Sequence, residues 1–292
     1  MKKCLLIINS YNEDALSLSV QVESFLKTKK IFVKKILYFG QNSIFSDYNE
    51  SDSEKSPDLT EFFCAITLGG DGTVLFASRF CSQKGIPIFP INLGKFGFIA
   101  GIEVAKWKDE FCKFLQGNST IVSRSMVKAD LYRGDEKIFS SNALNDVSVT
   151  AKGAARIVSL AVSCNGNELG VFKSDGVLVA TATGSTAYSA AAGGPIVDPG
   201  LDALIFNPIC AFSLSDRPLV LPPWSLVCVK VLPSRGTSLC LTYDGQVTCD
   251  VQENDEIRIC KALENVILVG CGSDIFYKAL RSKLNWSGGF LA

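Results

Sequence analysis

The residues best placed to do chemistry in this 292-residue chain lie in two short stretches. The first, ITLGGDGTVLFASRF at 66–80, sets Gly69, Gly70, Asp71 and Gly72 between an apolar strand-like run and an apolar helix-like run that opens with Thr73. Glycines lack a Cβ, so their amides can approach a phosphate closely, and the start of the following helix favours an anion. An aspartate is a poor phosphate ligand, because like charges repel. It has a use if it takes a proton from a hydroxyl attacking phosphorus, or helps to hold Mg²⁺. The same residues also suit a plain strand-to-helix turn, with glycine supplying positive φ and aspartate a cap. Two other phosphate motifs do not fit: G-x-G-x-x-G fails at Leu75, and G-x-x-x-x-G-K-[ST] is absent.

The second stretch, KSDGVLVATATGSTAYSAAAGGPI at 173–196, is an apolar strand followed by a turn dense in hydroxyls: Thr181, Thr183, Ser185, Thr186 and Tyr188. Such groups suit a purine edge or a ribose. Ala187 and the glycines leave room for a flat ring, and Tyr188 can stack on it or bond to it. Tight packing of a helix on a strand is the plainer alternative.

Composition removes many competing chemistries. The chain has no histidine, so it holds no Ser-His-Asp triad, no Cys-His dyad and no His-ligated metal. Any general base is Asp, Glu, Lys, Tyr or Cys. Formal net charge is zero with no long basic block, which argues against a nucleic-acid partner. The eleven cysteines form no C-x-x-C and sit mostly in apolar runs, where they are expected to pack as small hydrophobes. No apolar run reaches the length of a membrane span, and the N-terminal KKCLLIINS is short for a secretory signal. A cytoplasmic protein with no membrane partner is expected.

The elements that must position these residues follow from periodicity. CLLIIN, VKKILYFG, FFCAITL and IPIFPIN read as strands. Between and after them, DALSLSVQVESFLKTK, TVLFASRFCSQ and VAKWKDEFCKFLQ have helical spacing. This alternation predicts an α/β domain with a Rossmann-like, phosphofructokinase-like parallel sheet over residues 1–123. A polar loop falls at 47–58. Beyond about residue 120, short β runs follow one another with turn residues between them, predicting a mainly antiparallel β domain over 124–271. The end, DIFYKALRSKLNW, is helical again. Residues 272–292 are expected to return to the first domain.

GGDGT resembles the loop shared by NAD kinases, lipid kinases of the diacylglycerol and sphingosine type and, as GGDGS, phosphofructokinases. The run TGSTAY followed by AGGP resembles the second signature of bacterial-type NAD kinases, which lipid kinases lack. INLGKFGFIA (91–100), LNDVSV (144–149), FSLSDRPLVLP (212–222) and YDGQ (243–246) resemble further segments of that family. The resemblance spans about residues 66–246. It implies transfer of the terminal phosphate of ATP to the 2′-hydroxyl of the adenosine ribose of NAD, giving NADP. It implies Asp71 as the base, and Gly69, Gly70, Gly72 and Thr73 as the phosphate loop. NAD contacts are implied for Asp71, Gly72, Asn145, Asp146, Arg156, Lys173, Asp175, Thr186, Ala187, Tyr188, Ser189 and Gln246. It implies a homodimer or homotetramer. No all-protein metal cage is visible, so Mg²⁺ is expected to be carried mainly by the nucleotide phosphates.

Two positions depart from the family pattern. Phe212 stands where a histidine often precedes SLS-x-RP, and Lys173 stands where many members have arginine. Lysine offers a point charge in place of a planar fork, which bears on NAD against NADH. Phe98 suits either a pocket wall or packing, and Arg217 suits a loop-holding role. Asp244-Gly245 between two strand runs is a hairpin signal. A lipid or sugar kinase and a non-catalytic NAD(P)-binding sensor are the alternatives. The TGSTAY run argues against the first and the intact Asp71 against the second.

Overall fold

The computed structural model describes residues 2–40, 61–94, 97–153, 157–233 and 238–284. The loop expected at 47–58 and Arg156 lie outside the described residues. The chain divides into two compact units, Met1–Arg124 with Asn265–Ala292, and Ser125–Glu264.

The first unit opens with β1 (Lys3–Asn9), α1 (Glu13–Thr28), β2 (Phe32–Tyr38), β3 (Phe62–Gly69), α2 (Asp71–Cys81), β4 (Ile88–Asn92), β5 (Ile102–Glu103) and α3 (Trp107–Leu115). The strands pair in parallel in the order β2-β1-β3-β4-β5. A parallel sheet is covered on both faces, which explains why β1, β3 and β4 are near-continuous apolar runs rather than alternating ones. Helix α1 starts where Asn12 accepts a hydrogen bond from the Ala15 amide at 3.1 Å, with Glu13 and Asp14 in its first turn. It buries Ala15, Leu18, Val22 and Leu26, one stripe at helical spacing. Trp107 and Phe111 of α3 are buried, and the Trp107 ring meets Phe25 edge-on at 5.1 Å. Cys4 and Cys64 pair in register on β1 and β3, with their sulfurs 3.4 Å apart and both thiols free.

The second unit is β-rich. It holds β6 (Ile121–Arg133), β7 (Glu136–Ala143), β8 (Asp146–Ala151), β9 (Val158–Cys164), β10 (Asn167–Ser174), β11 (Gly176–Thr181), the single-turn α4 (Tyr188–Ala191), β12 (Leu204–Ile209), β13 (Leu219–Leu221), β14 (Val227–Val231), β15 (Leu239–Tyr243), β16 (Val247–Val251) and β17 (Glu256–Val269). Six strands form an antiparallel sheet in the order β13-β12-β11-β8-β15-β16. A second antiparallel set runs β10-β9-β14-β17, with the β6–β7 hairpin attached to β17. Side chains alternate along a strand, and β11 buries both faces. Val177 and Val179 join Val147, Val149, Leu160, Val162, Val227 and Val229 in the core between the sheets. Leu178 and Ala180 face the opposite way and pack with Ala182, Val197 and Ile205.

The chain enters the second unit along β6 and leaves it along β17, whose last turn pairs in parallel with β4 at Leu268 and Ile88. Helix α5 (Ser273–Leu284) then completes the first unit, burying Phe276, Ala279 and Leu280. Among the described residues no helix is long and apolar enough to cross a membrane.

Candidate active site

Strand β3 runs buried from Cys64 to Gly69, Gly70 caps α2, and Asp71 is the first helical residue. The strand order changes direction between β1 and β3, the switch point at which open α/β sheets leave a crevice outside their carboxyl ends. Asn9 ends β1 beside Gly69, and its Oδ1 accepts the Tyr11 amide at 3.1 Å. The space where a Cβ of Gly70 would stand is open. Thr73, in the first turn of α2, is buried, and its Oγ1 has no hydrogen-bond partner among the described residues. A buried polar atom without a partner is costly, so this atom suits a ligand that would engage it.

The Asp71 carboxylate is gripped by main chain. Its Oδ2 accepts the Phe98 amide at 3.0 Å. Its Oδ1 accepts the Ile99 and Ala100 amides at 3.2 and 2.8 Å. A carboxylate has about four acceptor directions. Three are taken here, which leaves one, on Oδ2. The close approach needs glycine at 97, because a Cβ there would overlap the carboxylate. The segment INLGKFGFIA is therefore a clamp for Asp71. The Phe98 side chain packs toward Phe276 of α5, ring centroids 6.2 Å apart, with the Lys283 ammonium over its outer face.

In the second unit a cavity of about 890 Å³ opens among β8, β12, β15 and α4. Its walls include Asn145, Asp146, Ser148, Thr150, Asp175, Ala187, Tyr188, Ile209, Cys210, Thr242, Asp244 and Gly245. The volume falls within the usual range for a ligand the size of a nucleotide. No basic side chain lines it among the described residues. Acids, hydroxyls and an amide suit hydroxyl and amine donors, or a cationic ring, better than phosphate. Asn145 is 9% exposed and its Oδ1 has no hydrogen-bond partner among the described residues. Burial first, and then the Asp244 charge, push the Asp146 carboxyl up to about 7. The Tyr188 phenol is raised by burial, with Cys210, Asp146 and Asp175 adding to it. The Cys210 thiol is raised chiefly by Asp175.

The expected residues fall into distinct places. Asn145, Asp146, Asp175, Ala187 and Tyr188 meet in the cavity wall. Gly69, Gly70, Asp71, Gly72 and Thr73 share the β3–α2 turn of the first unit. Asp175 is no hairpin tip, because it carries the chain from β10 in one sheet to β11 in the other. Other residues are not brought to the wall. Ser189 is fully buried and its hydroxyl accepts from Asn207 Nδ2 at 3.1 Å. Thr186 bonds the Thr183 carbonyl at 3.3 Å. Lys173 is exposed, and Gln246 is buried in the β15–β16 turn. The hydroxyls of Thr181 and Ser185, read from the sequence as ligand-facing, are spent on the Leu144 and Val197 carbonyls. Sequence reasoning missed Asn9, whose signal is a polar residue closing an apolar strand, and Cys210, which has positive φ at the cavity rim. Arg217 bonds carbonyls of its own loop, at Leu214 and Asp216.

Two family models cover most of the chain: the ATP-NAD kinase N-terminal domain over residues 4–119 and the ATP-NAD kinase C-terminal domain over 144–270. The chain belongs to the NAD kinase family. An NAD kinase of Treponema denticola is 44% identical over 99% of this chain and 98% of its own length. One from Treponema pallidum is 40% identical over 98% and 90%. Among solved structures, yeast NADH kinase complexed with NADH superposes with a TM-score of 0.84 at 25% identity, covering 100% of this chain and 90% of that one. An NAD kinase from Archaeoglobus fulgidus, solved with ATP, shares the fold with a TM-score of 0.73 at 24% identity, over 98% and 99%. The α/β unit with a parallel sheet, the antiparallel β unit and the C-terminal helix are thus the architecture of this family of enzymes.

Proposed function

We propose that the chain transfers the terminal phosphate of ATP to the 2′-hydroxyl of the adenosine ribose of NAD, making NADP. The observation that carries this is Asp71: a carboxylate at the mouth of the β3–α2 turn, immobilised by three amides, with one acceptor direction left for a hydroxyl. In this reading Asp71 takes the proton as the hydroxyl oxygen bonds to phosphorus and ADP leaves with the electrons of the broken P–O bond. Gly69, Gly70, Gly72 and Thr73 form the phosphate loop at the start of α2, with the buried, unpartnered Thr73 Oγ1 available to the phosphates. Asn145 and Asp146 receive ribose hydroxyls, and Asp175 and Tyr188 the remaining polar and flat parts of NAD. Gln246, Thr186, Ala187, Ser189, Lys173 and Arg156 complete or support that pocket.

The donor set favours a divalent cation that arrives with ATP. Asp71 has a single direction to offer, and no cluster of three metal-ligating side chains occurs among the described residues. When bound, the cation supplies screening of the phosphate charge; Asp71 and the amides of its turn remain the chain's own contribution.

A homodimer or homotetramer in the cytoplasm completes the proposal. Phe212, Leu214, Val220 and Trp224 are strongly exposed along one stretch, and β13 within it is an outer edge of the six-stranded sheet. Monomers rarely leave such a surface bare.

The test is NADP formation from NAD, ATP and Mg²⁺, with NADH and polyphosphate as alternative acceptor and donor. Asp71→Asn is expected to keep NAD binding and to lower kcat by roughly 10²–10⁴-fold, the scale of a lost general base. Turnover at the wild-type rate in Asp71→Asn would remove the base assignment. NAD binding without product from any donor would turn the reading to a sensor.

A further inference from the structure

The turn residue Asp244 does more than reverse the chain. Asp244 and Gly245 both have positive φ, 51° and 65°, and the Gln246 amide bonds the Tyr243 carbonyl at 2.9 Å, so the β15–β16 turn is formed as its Asp-Gly pair demands. The Asp244 carboxylate points back to residues a hundred positions earlier. Its Oδ2 accepts the Leu144 amide at 2.9 Å, and its Oδ1 accepts the Asn145 and Asp146 amides at 2.7 and 3.2 Å. The Asp244 amide returns a bond to the Asp146 carbonyl at 2.9 Å. From the other side, Thr181 Oγ1 bonds the Leu144 carbonyl at 2.6 Å and the Thr181 amide bonds the Asn145 carbonyl at 2.8 Å. Every amide and carbonyl of Leu144, Asn145 and Asp146 is therefore engaged. Only the side chains of Asn145 and Asp146 remain for the cavity, and Asn145 Oδ1 is buried there without a partner among the described residues.

We propose that Asp244 is a positioning residue, whose grip on three successive amides holds the Asn145 and Asp146 side chains in the orientation that receives the ribose. The proposal rests on the reading of this cavity as the NAD pocket. Main-chain bonds to a charged acceptor are stronger than neutral ones, and a three-residue segment tied at every polar atom loses little further freedom when ligand arrives. Asp244 also faces Asp146 electrostatically. Among the described residues, the other ionisable groups of the same wall are Asp175 before β11, Tyr188 of α4 and Cys210 after β12. Tyr188 and Cys210 are both raised and stay neutral at physiological pH. The protonation of Asp146 is set by its burial and by Asp244.

Calorimetric NAD binding from pH 5.5 to 8.5, on the wild type and Asp244→Asn, tests this. Asparagine keeps the tolerance for positive φ but offers one acceptor oxygen in place of two. NAD affinity is expected to fall by about tenfold or more, since buried amides lose their acceptor. With the Asp244 charge gone, Asp146 ionises more easily. The pH at which NAD binding rises on the alkaline side therefore moves down in the variant. Amide hydrogen exchange at 144–146 is expected to quicken about tenfold while exchange elsewhere in the unit holds. A uniform loss at every pH, with that limb fixed and exchange at 144–146 unchanged, overturns the proposal. Unchanged NAD affinity also overturns it. If Asp244→Asn does not accumulate as folded protein, Thr181→Val opens the same segment from its carbonyl side. It should weaken NAD without moving the limb, because no charge is removed, and full affinity there sinks the idea. A wild type that neither binds nor phosphorylates NAD defeats the reading of the cavity, whereas normal binding that ignores Asp244 defeats the positioning role alone.

Discussion

Asp146 is held in a state that works against the fold. Its carboxyl is pushed up to about 7 by burial and by Asp244, against roughly 4 for a carboxylate in an unfolded chain. Between those values the folded protein binds more protons than the unfolded one. The stability that goes with protonation is therefore full below about pH 4 and is lost as pH rises to about 7. Above 7 the folded state carries a buried anion. Asp146→Asn is expected to raise the melting temperature at pH 8.5 by a few degrees and to change it little at pH 4, read from thermal melts at both values. The same variant should lose about tenfold or more in NAD affinity at pH 8.5. A variant no more stable at pH 8.5 would mean that Asp146 ionises there without strain. Stability given up at one side chain to keep a charged acceptor ready for ligand is a familiar exchange at working sites.

At the scale of elements, the segment from Gly97 to Ala100 matters for its main chain rather than its side chains. Gly97→Ala places a methyl group against the Asp71 carboxylate. Turnover is expected to drop by roughly 10²-fold, the lower end of the scale for a misplaced base. The double variant with Asp71→Asn should be no worse than Asp71→Asn alone, because residues that act as one unit are not additive. Additive losses in steady-state kinetics would show that Gly97 acts elsewhere. This clamp explains what the sequence could and could not reveal. Periodicity located β1, α1, β3, α2 and α5, because a covered parallel sheet writes continuous apolar runs and helices write stripes. GGDGT and TGSTAY stood out because glycine and hydroxyl density is unusual. What the hydroxyls do was not legible. Thr181, Ser185 and Ser189 turn inward to satisfy backbone and Asn207, and at a tight turn no simple period says which way a side chain points. The role of Asp244 was equally hidden. Its local signal is a turn, whereas its bonds reach residues 144–146, to which nothing in its own neighbourhood refers.

For the whole molecule, the exposed stretch from Phe212 to Trp224 is the feature that one folded copy leaves unexplained. Light scattering after size exclusion should show a dimer or tetramer at micromolar concentration. Leu214→Asp with Trp224→Glu should shift it to monomer with little change in melting temperature, since both side chains are solvent-facing. A wild type that runs as a monomer would end the oligomer proposal. The chain's path has its own consequence. The first unit is written in two pieces, Met1–Arg124 and Asn265–Ala292, with the second unit complete between them. Synthesis runs from the N-terminus, and domains tend to fold as units. The cavity proposed for NAD can therefore be complete while the first unit still lacks the end of β17 and all of α5. Phe276 of α5, against which Phe98 packs beside the Asp71 clamp, is made after the whole of the second unit. On a growing chain the cavity proposed for the dinucleotide can therefore form before α5 is available to pack beside the proposed base.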